Sequence, residues 1–339
     1  MKSRTAPATI HDIAREAGVS LTTVSHVLSG KRPVSKALSE RVQAAIARLG
    51  YTPNVLAQRL ATQQRARTIG ISLHGGPRHL ANPVFAEILA GVADVAEAQR
   101  YQLLISTAAQ ADGQLVAQFA RDGSVAGLLL FEVLLDDPRV AALEHSDLPF
   151  VLVGRRADTA PALPSVDADT QAGVGEATAH LLELGHRRIA LTVAPRSLAF
   201  AARAVQGYGR ALAARGLPVD PALILECVSE APRYYAAVSR LLRAERFTAA
   251  LVMNGGMVDV ATQAIRDAGL QVPGDISLVG HSALWSELPG SAHRTNLRIP
   301  ARALGGEGAR MLLALLAGEP LAAQQVLLPY TLSVPSGEA

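Results

Sequence analysis

The sequence predicts a chain in two parts: a small all-α head built on a helix-turn-helix with a short hinge helix after it, then a two-lobed α/β body with parallel sheets. Three observations predict it. Apolar residues recur at helical spacing through the first fifty residues. From Thr68 onward, short apolar runs alternate with amphipathic stretches, the pattern of parallel strands covered by helices. Charge divides at the same place. Residues 1–65 hold ten Lys/Arg against three Asp/Glu, a balance of +7, whereas the rest of this chain of net charge +3 carries −4. A basic head on a mildly acidic body is the footprint of a polyanion-binding module. The alternative from charge alone is a merely solvated basic surface.

The head accounts for three helices. Thr9 precedes the apolar positions Ile10, Ile13, Ala14 and Ala17, and Asp12 stands three residues on, so Thr9 reads as an N-cap with an acid closing the box. Gly18 supplies the break, because glycine tolerates the positive φ needed between closely packed helices. Ser20 is the next N-cap, and Leu21–Leu28 forms about two turns with Val24, Val27 and Leu28 inward. Its outward face is Leu21, Thr22, Ser25, His26 and Ser29, short and uncharged at the N-terminal end, which suits a helix seated in a major groove. A third helix starts at Ser35 and runs through Leu38, Val42, Ala45, Ile46 and Leu49 to a Gly50 C-cap.

A helical hairpin with a central glycine is common, but the segment TIHDIAREAGVSLTTVSHVLSGKRPVSKALSERVQAAIARLGYTPNVLAQRLA is more specific. Nearly position by position over Thr9–Ala61, it resembles the N-terminal segment of the lactose-repressor (LacI/GalR) family of bacterial transcription regulators. The resemblance implies base reading at Leu21, Thr22 and His26, and phosphate contacts at Thr9, Ser20, Thr23, Ser25, Ser35 and Asn54. Thr9 and Ser20 also read as plain caps, and the two roles are compatible because helix N-termini themselves bind phosphate. His26 can donate to guanine N7 or O6; its alternative is a surface histidine without a role.

Pro53 and Asn54 open a hinge helix of about two turns that includes Leu56, Ala57 and Leu60. Isolated helices below ~12–15 residues are marginal in water, so it should fold only when something packs against it. Leu56 and Leu60 lie four apart on one face, so two copies can pair while a leucine wedges between base pairs in the minor groove. The resemblance implies such paired hinge helices, with Leu60 as the inserting leucine. A plain linker with a helical turn is the alternative. The expected limits are therefore 1–52 for the DNA-binding head, 53–67 for hinge and linker, and 68–339 for the body.

In the body, candidate strands are Thr68–Leu73, Gln102–Ser106, Gly127–Phe131, Phe150–Val153, Ser165–Val166, Ile189–Val193, Ala249–Val252, Ile276–Val279 and Asn296–Ile299. Candidate helices are Val84–Arg100, Gln171–Leu184, Phe200–Arg215, Tyr234–Arg243 and Val258–Ala268. The count exceeds one ordinary sheet and predicts two lobes. Ligands of such sheets sit beyond the carboxyl ends of the strands, here the loops after Leu73, Val153, Val193, Val252 and Val279. ANPVFAEILAGVADVAEAQRYQLLIS, PSVDADTQAGVGEATAHLLELGHRRIAL and DAGLQVPGDISLVG resemble the same family's effector domain, itself similar to periplasmic sugar-binding proteins. That resemblance implies a first lobe of about 68–162 with 297–324 and a second of about 163–296 with 325–336.

Three positions depart from the family pattern. Ser282 stands where an Asp is usual, Gly255 follows Asn254 in place of an Asp, and Ala204 replaces an Arg, with Arg203 one step away. Paired carboxylates suit sugar hydroxyls because they accept bidentate hydrogen bonds, so a neutral sugar becomes a weaker expectation. Candidate effector-binding residues are His74, Arg155, Arg196, Asn254, His281 and Ser282, with Phe85, Phe200 and Trp285 as apolar walls. For each, a structural role or plain exposure is the competing reading. The expected effector is unconventional or anionic, or control operates without one.

Other classes are disfavoured by what the 339 residues lack. The longest uncharged stretch, Pro320–Gly337, carries three prolines and five polar side chains, unlike the ~20 apolar residues of a membrane span. The first residues have no apolar h-region, so neither a secretory signal nor an anchor is expected, and the expected place is the cytoplasm, at the nucleoid when operator-bound. One cysteine, Cys227, excludes an internal disulfide and a cysteine zinc site. Gly173 and Gly175 lack the third glycine of a dinucleotide fingerprint, and no phosphate-binding or hydrolase motif occurs, so no catalytic residue, metal or cofactor is expected. The sequence is read as a homodimeric repressor that binds a pseudo-palindromic double-stranded operator and is modulated by a small molecule between its lobes. The alternative is the same architecture without small-molecule control. Tetramers stay open, although no leucine heptad follows Pro329.

Overall fold

A computed structural model describes residues 9–29, 32, 34–49, 67–74, 80, 82–107, 113–156, 162–227, 230–254, 256–282 and 295–334. Asn54, Leu56, Ala57, Leu60, Gly255 and Trp285 lie outside the described residues, as does the side chain of Ser29. The chain forms two compact units, residues 1–66 and 67–339.

In the first unit, α1 (Ile10–Ala17), α2 (Leu21–Ser29) and α3 (Lys36–Leu49) surround a core of Ile13, Ala14, Ala17, Val24, Val42 and Ala45. Thr9 and Asp12 form the reciprocal capping box at the start of α1. Gly18 ends α1 at φ +59°, in the left-handed region where a side chain is strained. The inward positions of each helix recur at three and four residues, so one stripe per helix suffices to close this small core.

Among the described residues, the second unit contains two six-stranded sheets. The first is built from β1 (Thr68–Leu73), β2 (Gln102–Thr107), β3 (Gly127–Phe131), β4 (Phe150–Val153), β5 (Ser165–Ala168) and β11 (Gln325–Leu328), in the order β11-β5-β4-β3-β1-β2, all parallel. Ile69, Ile71 and Leu129 face α4 (Pro83–Ala98) and α11 (Ala301–Ala317), whereas Leu128 and Leu130 face α5 (Gly113–Asp122) and α6 (Pro138–Leu143). Burial on both faces explains why these strands read as continuous apolar runs.

The second sheet comprises β6 (Ile189–Val193), β7 (Ile224–Glu226), β8 (Ala249–Val252), β9 (Ser277–Ser282), β10 (Asn296–Arg298) and β12 (Thr331–Ser333), in the order β12-β10-β9-β8-β6-β7. Only β12 runs antiparallel to its neighbour. Leu191, Leu251 and Val279 pack with α7 (Thr170–Glu183) and α8 (Ala199–Ala213); Ala190, Val252 and Leu278 pack with α9 (Ala231–Ala244) and α10 (Val258–Asp267).

The chain crosses between lobes at three places, and each differs from the limits expected from the sequence. Ser165–Ala168 was expected in the second lobe, yet it pairs with β4, so the first crossing follows Ala168. Leu297 was expected to begin the return to the first lobe, yet it pairs with His281 of β9. Gln325–Leu328 was expected in the second lobe and pairs instead with β5, which leaves only β12 for the second sheet. An apolar run identifies a strand but not its neighbours, because pairing is decided by packing far away in sequence. No helix among the described residues is long and apolar enough to cross a membrane.

Candidate functional site

The face that the sequence assigns to groove reading is the N-terminal end of α2. Ser20 Oγ accepts the Thr23 N–H at 3.1 Å, capping the helix, and the two hydroxyls lie 2.9 Å apart. Only one of them can donate to the other, so one hydroxyl hydrogen stays available to an outside acceptor. Leu21 (40 % exposed) and Thr22 project outward, while Thr23, Ser25 and His26 are half-buried. Thr9 is committed more fully: its N–H and its hydroxyl both donate to Asp12 Oδ2, at 2.9 and 2.7 Å. These bonds hold the Asp12 carboxyl below the usual carboxylate range. Ser35 is exposed just before α3, and its carbonyl accepts the Ser39 N–H.

A residue that sequence reasoning passed over holds this face in place. Arg41 on α3 donates from Nη2 to the carbonyls of Ala17 (2.6 Å) and Gly18 (3.2 Å). These are carbonyls at the end of α1, where the helix leaves acceptors unpaired and favours a cation. Arg48 and Glu16 add a second link between α3 and α1, at 2.8 Å.

In the body, His74, Arg155, Arg196, Asn254 and Ser282 stand at or just beyond the carboxyl ends of β1, β4, β6, β8 and β9. Asn254 is almost fully buried, and its Nδ2 donates to the Cys227 carbonyl at 2.9 Å. That bond fixes which end of the amide is nitrogen, so Oδ1 is the end left over, buried and with no hydrogen-bond partner among the described residues. An acceptor in this position calls for a donor from elsewhere.

The other candidates divide. Arg155 Nε donates to Asp167 Oδ2 at 3.1 Å. Arg196 pairs with Glu226 through its side chain and also donates its backbone N–H at 2.9 Å, which lowers the Glu226 carboxyl. Phe85 is in the first-lobe core, edge-on to Phe131 with centroids 5.5 Å apart, and Phe200 packs against the second-lobe core. His281 is buried beside Tyr330, with Nε2 3.3 Å from the phenol oxygen, and burial pushes its imidazole down to about 4. It is thus neutral at neutral pH. Among the described residues, no group of three or more His, Cys, Asp or Glu is placed to hold a metal ion.

Two arginines absent from the sequence candidates organise the strand ends. Arg139 is fully buried; it donates to both oxygens of Asp137 (3.0 and 2.7 Å) and to the carbonyls of Ser72 (3.0 Å) and Phe131 (2.9 Å). Burial alone would raise the Asp137 carboxyl, but the Arg139 bonds and charge outweigh it and hold the group low. Arg203, on α8, reaches Asp167 Oδ2 at 3.7 Å, the Arg155 carbonyl at 3.1 Å and the Arg156 carbonyl. For Asp167, burial wins over both arginines and raises its carboxyl. Arg203 stands one residue from the usual family position, a step of about 100° around a helix, which was the one signal that it points elsewhere.

Both units match known families. Residues 9–54 match the model of bacterial regulatory proteins of the lacI family, and residues 77–315 match periplasmic binding proteins and the sugar binding domain of that family. The chain belongs to the lacI family. Among its curated relatives is the HTH-type transcriptional regulator AglR of Rhizobium meliloti (strain 1021), 31 % identical over 92 % of this chain and 88 % of that protein. A transcriptional regulator CelR–cellobiose complex superposes with a TM-score of 0.73 and 30 % identity, covering 96 % of this chain and 98 % of that one. A lac repressor dimer bound to operator and the anti-inducer ONPF gives 0.75 and 28 %, with the same coverage. This lacI-family chain is accordingly a DNA-binding transcriptional regulator and not an enzyme. The family and fold expected from the sequence are those found.

Proposed function

We propose that this lacI-family regulator is a cytoplasmic homodimeric repressor, at the nucleoid when operator-bound, that reads a pseudo-palindromic operator and is controlled by a small molecule between its lobes. The observation that carries the DNA reading is the exposed, uncharged start of α2, capped by Ser20 and braced by Arg41. Leu21, Thr22 and His26 read bases; Thr9, Ser20, Thr23, Ser25, Ser35 and Asn54 position phosphates. Leu60 is the minor-groove wedge, with Leu56 and Ala57 in the paired hinge helix.

For the effector, support comes from the buried Asn254 Oδ1 at the end of β8, which has no hydrogen-bond partner among the described residues. It favours a ligand that presents a hydroxyl or N–H. The solved relative holds cellobiose, but here Ser282 and Gly255 replace the usual carboxylates, so a hydroxyl-only sugar has fewer acceptors to meet. A second reading, control without a small molecule, is favoured by the contacts that already join the lobes through Arg203.

Duplexes selected by the protein from a randomised pool provide the test. Leu60→Ala is expected to lose at least tenfold more affinity for the selected duplex than for random duplex; equal losses defeat the wedge. A thermal-shift screen of sugars, sugar phosphates, nucleobases and organic acids, followed by affinity for the same duplex, separates the effector readings. No change with any compound favours the effector-free one.

A further inference from the structure

Two loops of the first lobe grip one short stretch of the second. After β3, the backbone carbonyl of Val133 accepts the Ala199 N–H at 3.0 Å, and the Leu135 N–H donates to Ser197 at 2.9 Å, so that Leu134 and Leu198 form an antiparallel bridge between lobes. After β4, the carbonyls of Arg155 and Arg156 accept from Arg203. Ala199 and Arg203 lie four residues apart on α8, one turn, so both loops meet the same face of that helix.

The loop after β3 is itself held rigid. Asp137 Oδ2 accepts the Leu134 N–H at 3.1 Å, and Arg139 binds Asp137 together with the Phe131 carbonyl. On the other side, Asp167 sits on β5 just before the first crossing between lobes, and Arg203 from α8 approaches it with both groups buried, at 5 % and 8 % side-chain exposure. A guanidinium can donate in several directions at once from one plane, which a lysine cannot. At this junction it serves a carboxylate and two main-chain carbonyls that belong to the opposite lobe.

We propose that Arg203 is a built-in cross-lobe tie, joining the two lobes through Asp167 and the carbonyls of Arg155 and Arg156 so that their approach does not require a ligand. Breaking the tie frees the clasp at 133–135. The regulatory meaning of that freedom rests on the proposed interlobe control, but the tie itself does not.

Hydrogen exchange of the full-length protein tests it, with the Leu135 amide as reporter because it lies in the lobe opposite to Arg203. In Arg203→Gln, Leu135 is expected to exchange at least tenfold faster, while the central strands β1 and β6 keep their wild-type protection. Unchanged exchange at Leu135 overturns the proposal. If Arg203→Gln loses protection throughout, Asp167→Asn decides: it keeps the side-chain volume and removes the charge that faces Arg203. A severalfold acceleration confined to the clasp supports the tie, and wild-type exchange overturns it. Affinity for the selected duplex is read in the same variants. Faster exchange at Leu135 with unaltered DNA affinity leaves the tie standing and counts against interlobe control of DNA binding.

Discussion

At the scale of single residues, burial decides what the polar groups can do. His281 shows this in its titration. An exposed histidine in the unfolded chain protonates near 6.5, but in the fold, burial beside Tyr330 pushes it down to about 4. Between these values the unfolded chain holds the proton and the folded chain does not, so stability rises with pH across the window, is fully present above about 6.5, and is lost on acidification towards 4. Urea denaturation of wild type and His281→Gln at pH 7.5 and pH 5 checks this. The wild type should lose about 2 kcal/mol more than the variant on going to pH 5; an equal loss in both means that His281 is hydrated in the folded state. Asn254 shows the same principle without titration, because its amide orientation is dictated by the Cys227 carbonyl and leaves an acceptor behind.

At the scale of elements, α2 presents the proposed reading face but other elements aim it. Arg41 ties α3 to the final carbonyls of α1, next to the Gly18 turn from which α2 departs. Arg41→Ala should cost about 1 kcal/mol of head stability, because the bonds are partly solvated, and should lower affinity for the selected duplex more than removal of one surface charge accounts for. Arg41→Lys keeps the charge, so a return to wild-type affinity in Arg41→Lys would assign the effect to charge and not to positioning. Which elements were legible in the sequence follows from their burial. Gly127–Phe131 and Ala249–Val252 are buried at every position and carry the limits expected from their apolar runs. The edge strands Ile224–Glu226, Gln325–Leu328 and Thr331–Ser333 are half-exposed and three or four residues long, too short for a period to register. Helix Ala301–Ala317 escaped because Gly305, Gly306 and Gly308 lower its helix propensity, although the fold buries all three. Gly113–Asp122 and Pro138–Leu143 also went unassigned; the second has only six residues and begins at a proline capped by Asp137. Strand ends were legible and so was Asn254 beyond one of them, whereas Arg203 and Asp167, 36 residues apart in sequence, meet only through a crossing that no local pattern encodes.

At the scale of the whole molecule, the uneven charge separates two kinds of DNA contact. The head carries +7 and the rest −4, so the electrostatic part of DNA affinity belongs to the head, and its salt dependence counts the phosphates that the head neutralises. Base preference is a different quantity, which the proposed function assigns to the outward face of α2. The two should therefore respond to different substitutions. Arg32→Gln removes one exposed cation; it is expected to weaken binding to selected and random duplexes by similar factors and to flatten the plot of log affinity against log salt by about 1. His26→Ala removes no lysine or arginine. It should leave the salt slope within error while relaxing preference at one base pair per half-site, at a cost of roughly 1–3 kcal/mol on the selected duplex and little on random DNA. Titrations of both variants at several salt concentrations, on both duplexes, give the four comparisons. If His26→Ala alters the slope as Arg32→Gln does, His26 is a charged phosphate contact in the complex, and base reading by α2 falls to Leu21 and Thr22 alone.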